Sequence, residues 1–239
     1  MIPETPPPDV RRQAFLAALL APGDGAAAEP GELVLGRVLA EQMSSPELDL
    51  AALVSRWTAL RGVEALSEGV RQALDEMAAT GAPPTEAVPG MGGLAPALAC
   101  LPLVGRVWAS EINVASGAYH LARLLHSDPT AHWQAVGLSV ATACFLQGVR
   151  DPIPDVIGAL RANQAPEAVT EAARRVPVWS RPPGRRPGDF EELLWCLYHV
   201  REPARVSEAL AGRGPIVLRL AFAMAAARNG RAALNGSSV

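Results

Sequence analysis

Apolar residues along this chain recur at steps of three and four, the spacing that lays a single stripe down an α-helix. The pattern is plainest over residues 111–148. In its first half Ile112, Ala115, Tyr119, Ala122 and Leu125 mark one face. The corner His126-Ser127-Asp128-Pro129 follows. Asp128 can accept hydrogen bonds from the free amides of the next helix, and Pro129 suits a first helical position, where no amide is needed. The second helix is small and apolar nearly all round (Ala135, Leu138, Val140, Ala143, Phe145), which predicts burial on several sides, and Gly148 is placed to end it.

The same period runs through the rest. Residues 11–20 predict an apolar helix stopped by Ala21-Pro22-Gly23-Asp24-Gly25, and another helix follows up to about Met43. After a polar connection, Leu53, Trp57 and Leu60 mark one buried face, and Val70, Leu74 and Met77 a second. A Pro- and Gly-rich loop over 82–93 leads into an apolar run. Residues 151–174 predict at least one helix, and Asp189 opens another with Glu191 and Glu192 in its first turn, where they complement the helix dipole. A short helix over 206–210 and a small-residue helix before Gly230 complete the pattern.

No long Val/Ile/Thr alternation interrupts the helices, and aromatics make up only 5% of the chain, so the fold class is all-α. With 239 residues, 49% of them apolar, one large domain is expected over 11–230, between a leader at 1–10 and a tail at 231–239. The net charge of −3 gives no global pull toward nucleic acid or an anionic membrane. All 21 basic residues are Arg, which removes Schiff-base and P-loop lysine chemistry. Arg174, Arg175, Arg181, Arg185 and Arg186 gather around Trp179, but the near-neutral chain favours a solvated loop over a nucleic-acid patch. Cys100, Cys144 and Cys196 lie far apart in apolar segments and read as reduced core residues. The Pro-rich, acidic opening is no signal peptide, and no apolar run reaches the ~20 residues that span a bilayer. The expected location is the cytoplasm.

Several of these pieces, taken in order, resemble the ADP-ribosylglycohydrolase family. The resemblance rests on Leu124, Leu125, His126, Asp128, Pro129 and Gly148 at the helix corner, on Gly23-Asp24 after the first helix, on Leu39-Ala40-Glu41, and on Trp57 and Gly69 between the early helices. It also rests on Gly90, Gly92 and Gly93 in the loop and on Val206-Ser207-Glu208-Ala209-Leu210. It implies a compact orthogonal bundle of roughly ten or more helices. It also implies a hydrolase using two Mg or Mn ions, held by Thr-Asp-Asp-Thr at one helix start and by Asp-x-Asp-Thr at another. Here Pro30, Gly31, Glu32 and Leu33 stand at the first set, and Arg213, Pro215 and Ile216 at the Asp, Asp and Thr of the second.

Of these only Glu32 offers a hard oxygen, while Arg213 brings a permanent cation. The expectation is therefore no metal or cofactor and a pseudoenzyme, with Asp24 and Glu32 as residual catalytic candidates. Gly90, Gly92, Gly93, His126 and Arg213 are the expected ligand-binding residues, Arg213 either pairing with Glu32 or standing in a former metal position. The expected partner is an ADP-ribose-like molecule or another protein, with no nucleic acid and no membrane. Two alternatives stay open: an active hydrolase with a site remodelled around Asp24, Glu32 and His126, and a structural or partner-binding helical domain. The three histidines His120, His126 and His132 sit six apart, which does not stack them on one helical face, so each reads as a capping or packing residue.

Overall fold

The computed structural model describes residues 6–22, 29–45, 47–85, 93–178, 188–202 and 205–230. Among these residues the secondary structure is entirely helical. Four helices come first: α1 (Pro8–Leu20), α2 (Glu32–Gln42), α3 (Leu50–Ala59) and α4 (Glu68–Thr80). The short α5 (Ala95–Cys100) runs through a 3-10 turn (Leu101–Leu103) into α6 (Val104–Val107). Then come the long pair α7 (Glu111–Leu125) and α8 (Pro129–Gln147), followed by α9 (Ile153–Ala162) and α10 (Glu167–Arg175). The last three are α11 (Asp189–His199), α12 (Val206–Ala209) and α13 (Pro215–Asn229). The first helix starts at Pro8, inside the expected leader, because proline is well suited to a first turn.

The corner between α7 and α8 forms as its residues dictate. Asp128 Oδ1 accepts from the Thr130 amide at 2.8 Å, and Pro129 takes the first position. At the far end Gly148 adopts φ 89°, the left-handed conformation that closes a helix most cheaply in glycine. Every residue of α8 from Ala135 to Leu146 is buried. Helices α5, α7, α9 and α13 all lie against it. Its leucines and phenylalanine each contribute about 1.5–3 kcal/mol by leaving water. Beneath the C-terminus of α8, the buried Arg11 donates to the Leu146 carbonyl at 2.7 Å, which places a cation at the negative end of the helix. Burial lowers the pKa of that guanidinium from its ordinary value.

The buried face of α7 is Val114, Ala115, Ala118, Leu121, Ala122, Leu124 and Leu125. Ile112, expected on that stripe, is instead 81% exposed. It lies in the first turn of α7, two residues before the buried stripe begins at Val114. Trp57 is fully buried, and its indole donates to the Leu35 carbonyl at 3.0 Å, joining α3 to α2. The three cysteines are free and buried, and burial raises all three thiols, Cys196 to about 11.

The helices nearest the two ends of the chain pack on each other. Ala14 and Ala18 of α1 meet Ala226 of α13, and small side chains there let the two backbones approach closely. Pro6 lies beside Gly230, where a Cβ would come 3.1 Å from the proline ring. No described helix is long and apolar enough to cross a membrane.

Candidate functional site

Several helices begin at one place. A cavity of about 270 Å³ is lined by Ser67 ahead of α4, residues 93–95 at the start of α5, Asp189 opening α11, and residues 214–217 opening α13. None of these four helices has a side-chain cap on its first amides. The positive ends of the longer three, α4, α11 and α13, therefore face a common hollow, and the walls between them are small or apolar.

The electrostatics of the rim are set by Arg213. Its guanidinium donates to Asp189 Oδ1 at 2.9 Å and also pairs with Glu192, so it bridges the approach to α13 and the first turn of α11. The expectation that Arg213 would pair with Glu32 is not met, because α11 brings two carboxylates to it first. The third acid of that turn, Glu191, is buried and accepts twice from Arg175, at 2.8 and 3.1 Å. Arg174 pairs with Glu167 and Glu171. Two of the five arginines in the basic stretch are thus engaged within the fold, while the other three, with Trp179, lie outside the described residues.

Glu32 opens α2 and is fully buried. Its Oε1 accepts from the Ser67 amide at 2.8 Å, while Oε2 is buried without a hydrogen-bond partner. Beside it the Gly31 amide donates to the Ala65 carbonyl at 2.9 Å. A Cβ on Gly31 would stand 2.5 Å from the Leu66 nitrogen and 2.7 Å from the Ala65 carbonyl carbon. Pro30 and Leu33 are buried and carry no ligand oxygen in their side chains. Pro215 and Ile216, which line the cavity, have hydrocarbon side chains.

Of the other expected residues, Gly93 lines the cavity, and Asp24, Gly90 and Gly92 lie outside the described residues. His126 is not among the residues lining the hollow. It is buried in the corner, where its Nδ1 accepts from the Asp128 amide at 3.0 Å. Its Nε2 edge lies against α4, where a Cβ on Gly69 would come within 2.3 Å. That contact explains why glycine stands at 69. The corner also brings together two histidines that helical periodicity alone keeps apart: His132 Nε2 donates to the His126 carbonyl at 2.5 Å. Burial is the main cause that lowers His132 below its ordinary pKa.

Sequence reasoning missed Ser67 and Asp189 as cavity residues, and Asp189 and Glu192 as the partners of Arg213. The acids were visible only as a favourable first turn for α11. Away from the cavity, ligand-type atoms of Glu111, Cys144 and Asp155 converge within 4.8 Å where α7, α8 and α9 meet. There the Cys144 thiol donates to Asp155 at 3.6 Å, and burial with the two carboxylates raises its pKa, which keeps the proton in place.

No protein-family model and no curated protein matches the sequence. Among solved structures, a chain described as an ADP-ribosylglycohydrolase-related protein complex superposes with a TM-score of 0.64. The match covers 95% of this chain and 89% of that one, at 22% identity. The helical arrangement is thus shared across nearly the whole molecule, and the fold is that of an ADP-ribosylglycohydrolase-related protein.

Proposed function

We propose that this chain keeps the ADP-ribosylglycohydrolase fold without two-metal hydrolysis, and that its cavity binds an ADP-ribose-like anion. The observation that carries this reading is the meeting of the uncapped amino ends of α4, α11 and α13 at one hollow. Free amides and a positive helix end are a ready site for phosphate or carboxylate oxygens. Asp189, the one acid among the described lining residues, is neutralised by Arg213.

The donor set argues against a pair of divalent ions. Two such ions need several anionic ligands to replace their water. The seven positions offer Glu32 alone, with one of its oxygens already used by the Ser67 amide, and a guanidinium that repels cations. The hollow is slightly smaller than the roughly 300–1,000 Å³ of whole small-molecule sites, so one end of the ligand, of phosphate or ribose size, would enter it. Reduced, buried thiols fit a reducing compartment, which supports action in the cytoplasm.

Calorimetry with ADP-ribose, with and without magnesium or manganese, tests the reading. Metal-independent binding of ADP-ribose is expected, with no release of ADP-ribose from modified Arg or Ser peptides. Micromolar binding of either metal would contradict it. The remodelled hydrolase keeps one supporting observation, the unpartnered Oε2 of Glu32. Peptide hydrolysis abolished by Glu32→Gln would establish that alternative instead.

A further inference from the structure

Losing acidic ligands would leave a gap at the start of α2, yet that position is full. The Gly31 amide is taken by the Ala65 carbonyl, and one oxygen of the Glu32 carboxylate by the Ser67 amide. The backbone of Ala65 and Leu66 lies so close that even a methyl group at residue 31 would overlap it. We infer that the start of α2 has become a structural joint to α4, closed by residues 65–67, so that acids put back at the metal positions could no longer gather ions there. This rests on the proposed loss of two-metal chemistry and gives its physical form: the turn before α4 is the permanent occupant of one half of the former site.

Two consequences follow. A ligand in the cavity takes its contacts from the starts of α4, α5, α11 and α13, since α2 contributes nothing to the lining. Glycine at 31 is fixed by the neighbouring backbone rather than by flexibility, because its φ of −61° is open to any residue.

The test compares two glycines on the two sides of the joint. Gly31→Ala should lower the melting temperature by about 5–10 °C, as forced overpacking does in a chain of this size. Gly62→Ala, with nothing within 4 Å of the added methyl, should leave it unchanged. In parallel, Mn²⁺ alone is titrated by electron paramagnetic resonance into the full chain carrying Arg213→Asp and Pro215→Asp, and into the same variant with Gly31→Asp added. Neither should retain Mn²⁺ at micromolar concentration, and the added aspartate should lower the melting temperature further. An unchanged melting temperature in Gly31→Ala would overturn the inference, and so would tight Mn²⁺ binding by either acid-restored variant. If the triple variant fails to fold, the alanine pair and the double variant still decide. Failure of ADP-ribose to bind the unaltered chain would sink the proposed function and leave these measurements untouched.

Discussion

Helices α8 and α13 are alike along their length and differ in the residue that precedes them. Both are alanine-rich, both are largely buried, and both open on a proline at the first position. Before α8 stands Asp128, whose carboxylate accepts from the Thr130 amide. Before α13 stands Gly214, which has no side chain to offer, and the helix end faces a cavity. The comparison teaches that a proline at a helix start signals where the helix begins. The residue before it decides whether that end is closed by a side chain or left open to a cavity.

The largest effect should come from the body of the sealed helix. Phe145→Ala removes a side chain 1% exposed at the centre of the fold and should cost about 3–5 kcal/mol in urea unfolding. A loss below about 1 kcal/mol would show that α8 is not the structural centre. Exchanging the two caps comes next. Gly214 has the extended backbone of a capping residue, and nothing lies within 4 Å of an added Cβ. Gly214→Asp should therefore close α13 as Asp128 closes α8, gaining a few tenths of a kcal/mol in stability. The same change should weaken ADP-ribose binding by at least about tenfold, a cost near 1.4 kcal/mol. Unchanged affinity would mean that the α13 end does not bind the anion.

The reverse substitution is smaller. Asp128→Ala should cost about 1 kcal/mol in thermal or denaturant unfolding and leave ligand affinity alone. The smallest effect is on pH dependence, and it belongs to the sealed corner. His132 is held below its ordinary pKa of 6.5, so the unfolded chain takes up its proton first as the solution is acidified. Its contribution to stability is therefore whole above about pH 6.5 and is lost as pH falls through the lower folded value. His132→Gln should flatten that part of a stability-against-pH profile. A profile unchanged by the substitution would assign the acid sensitivity to other groups.

The two helix starts also differ in how far they could be read from the sequence. At the corner every signal is local: an aspartate, a proline, a small-residue run and a terminal glycine within one stretch. Each holds in the structure, as does the all-α class. The face of α7 was readable in its middle and misread at Ile112, since periodicity cannot tell where a neighbouring helix stops. The cavity could not be read this way. Its lining comes from four segments distant in sequence, and nothing in the run around Arg213 names Asp189 and Glu192 as its partners. Gly31 and Gly69 were visible only as aligned positions. Their physical reasons, the backbone of Leu66 and the ring of His126, lie on other elements.

The packing of α1 against α13 bears on how the molecule is made. A chain emerging from the ribosome presents α1 long before the helix that covers Ala14 and Ala18 exists. That apolar strip is not covered by its partner until α13 has been synthesised. Stalled or shortened translation products would thus keep a sticky first helix, and they should be the species that aggregate or are degraded.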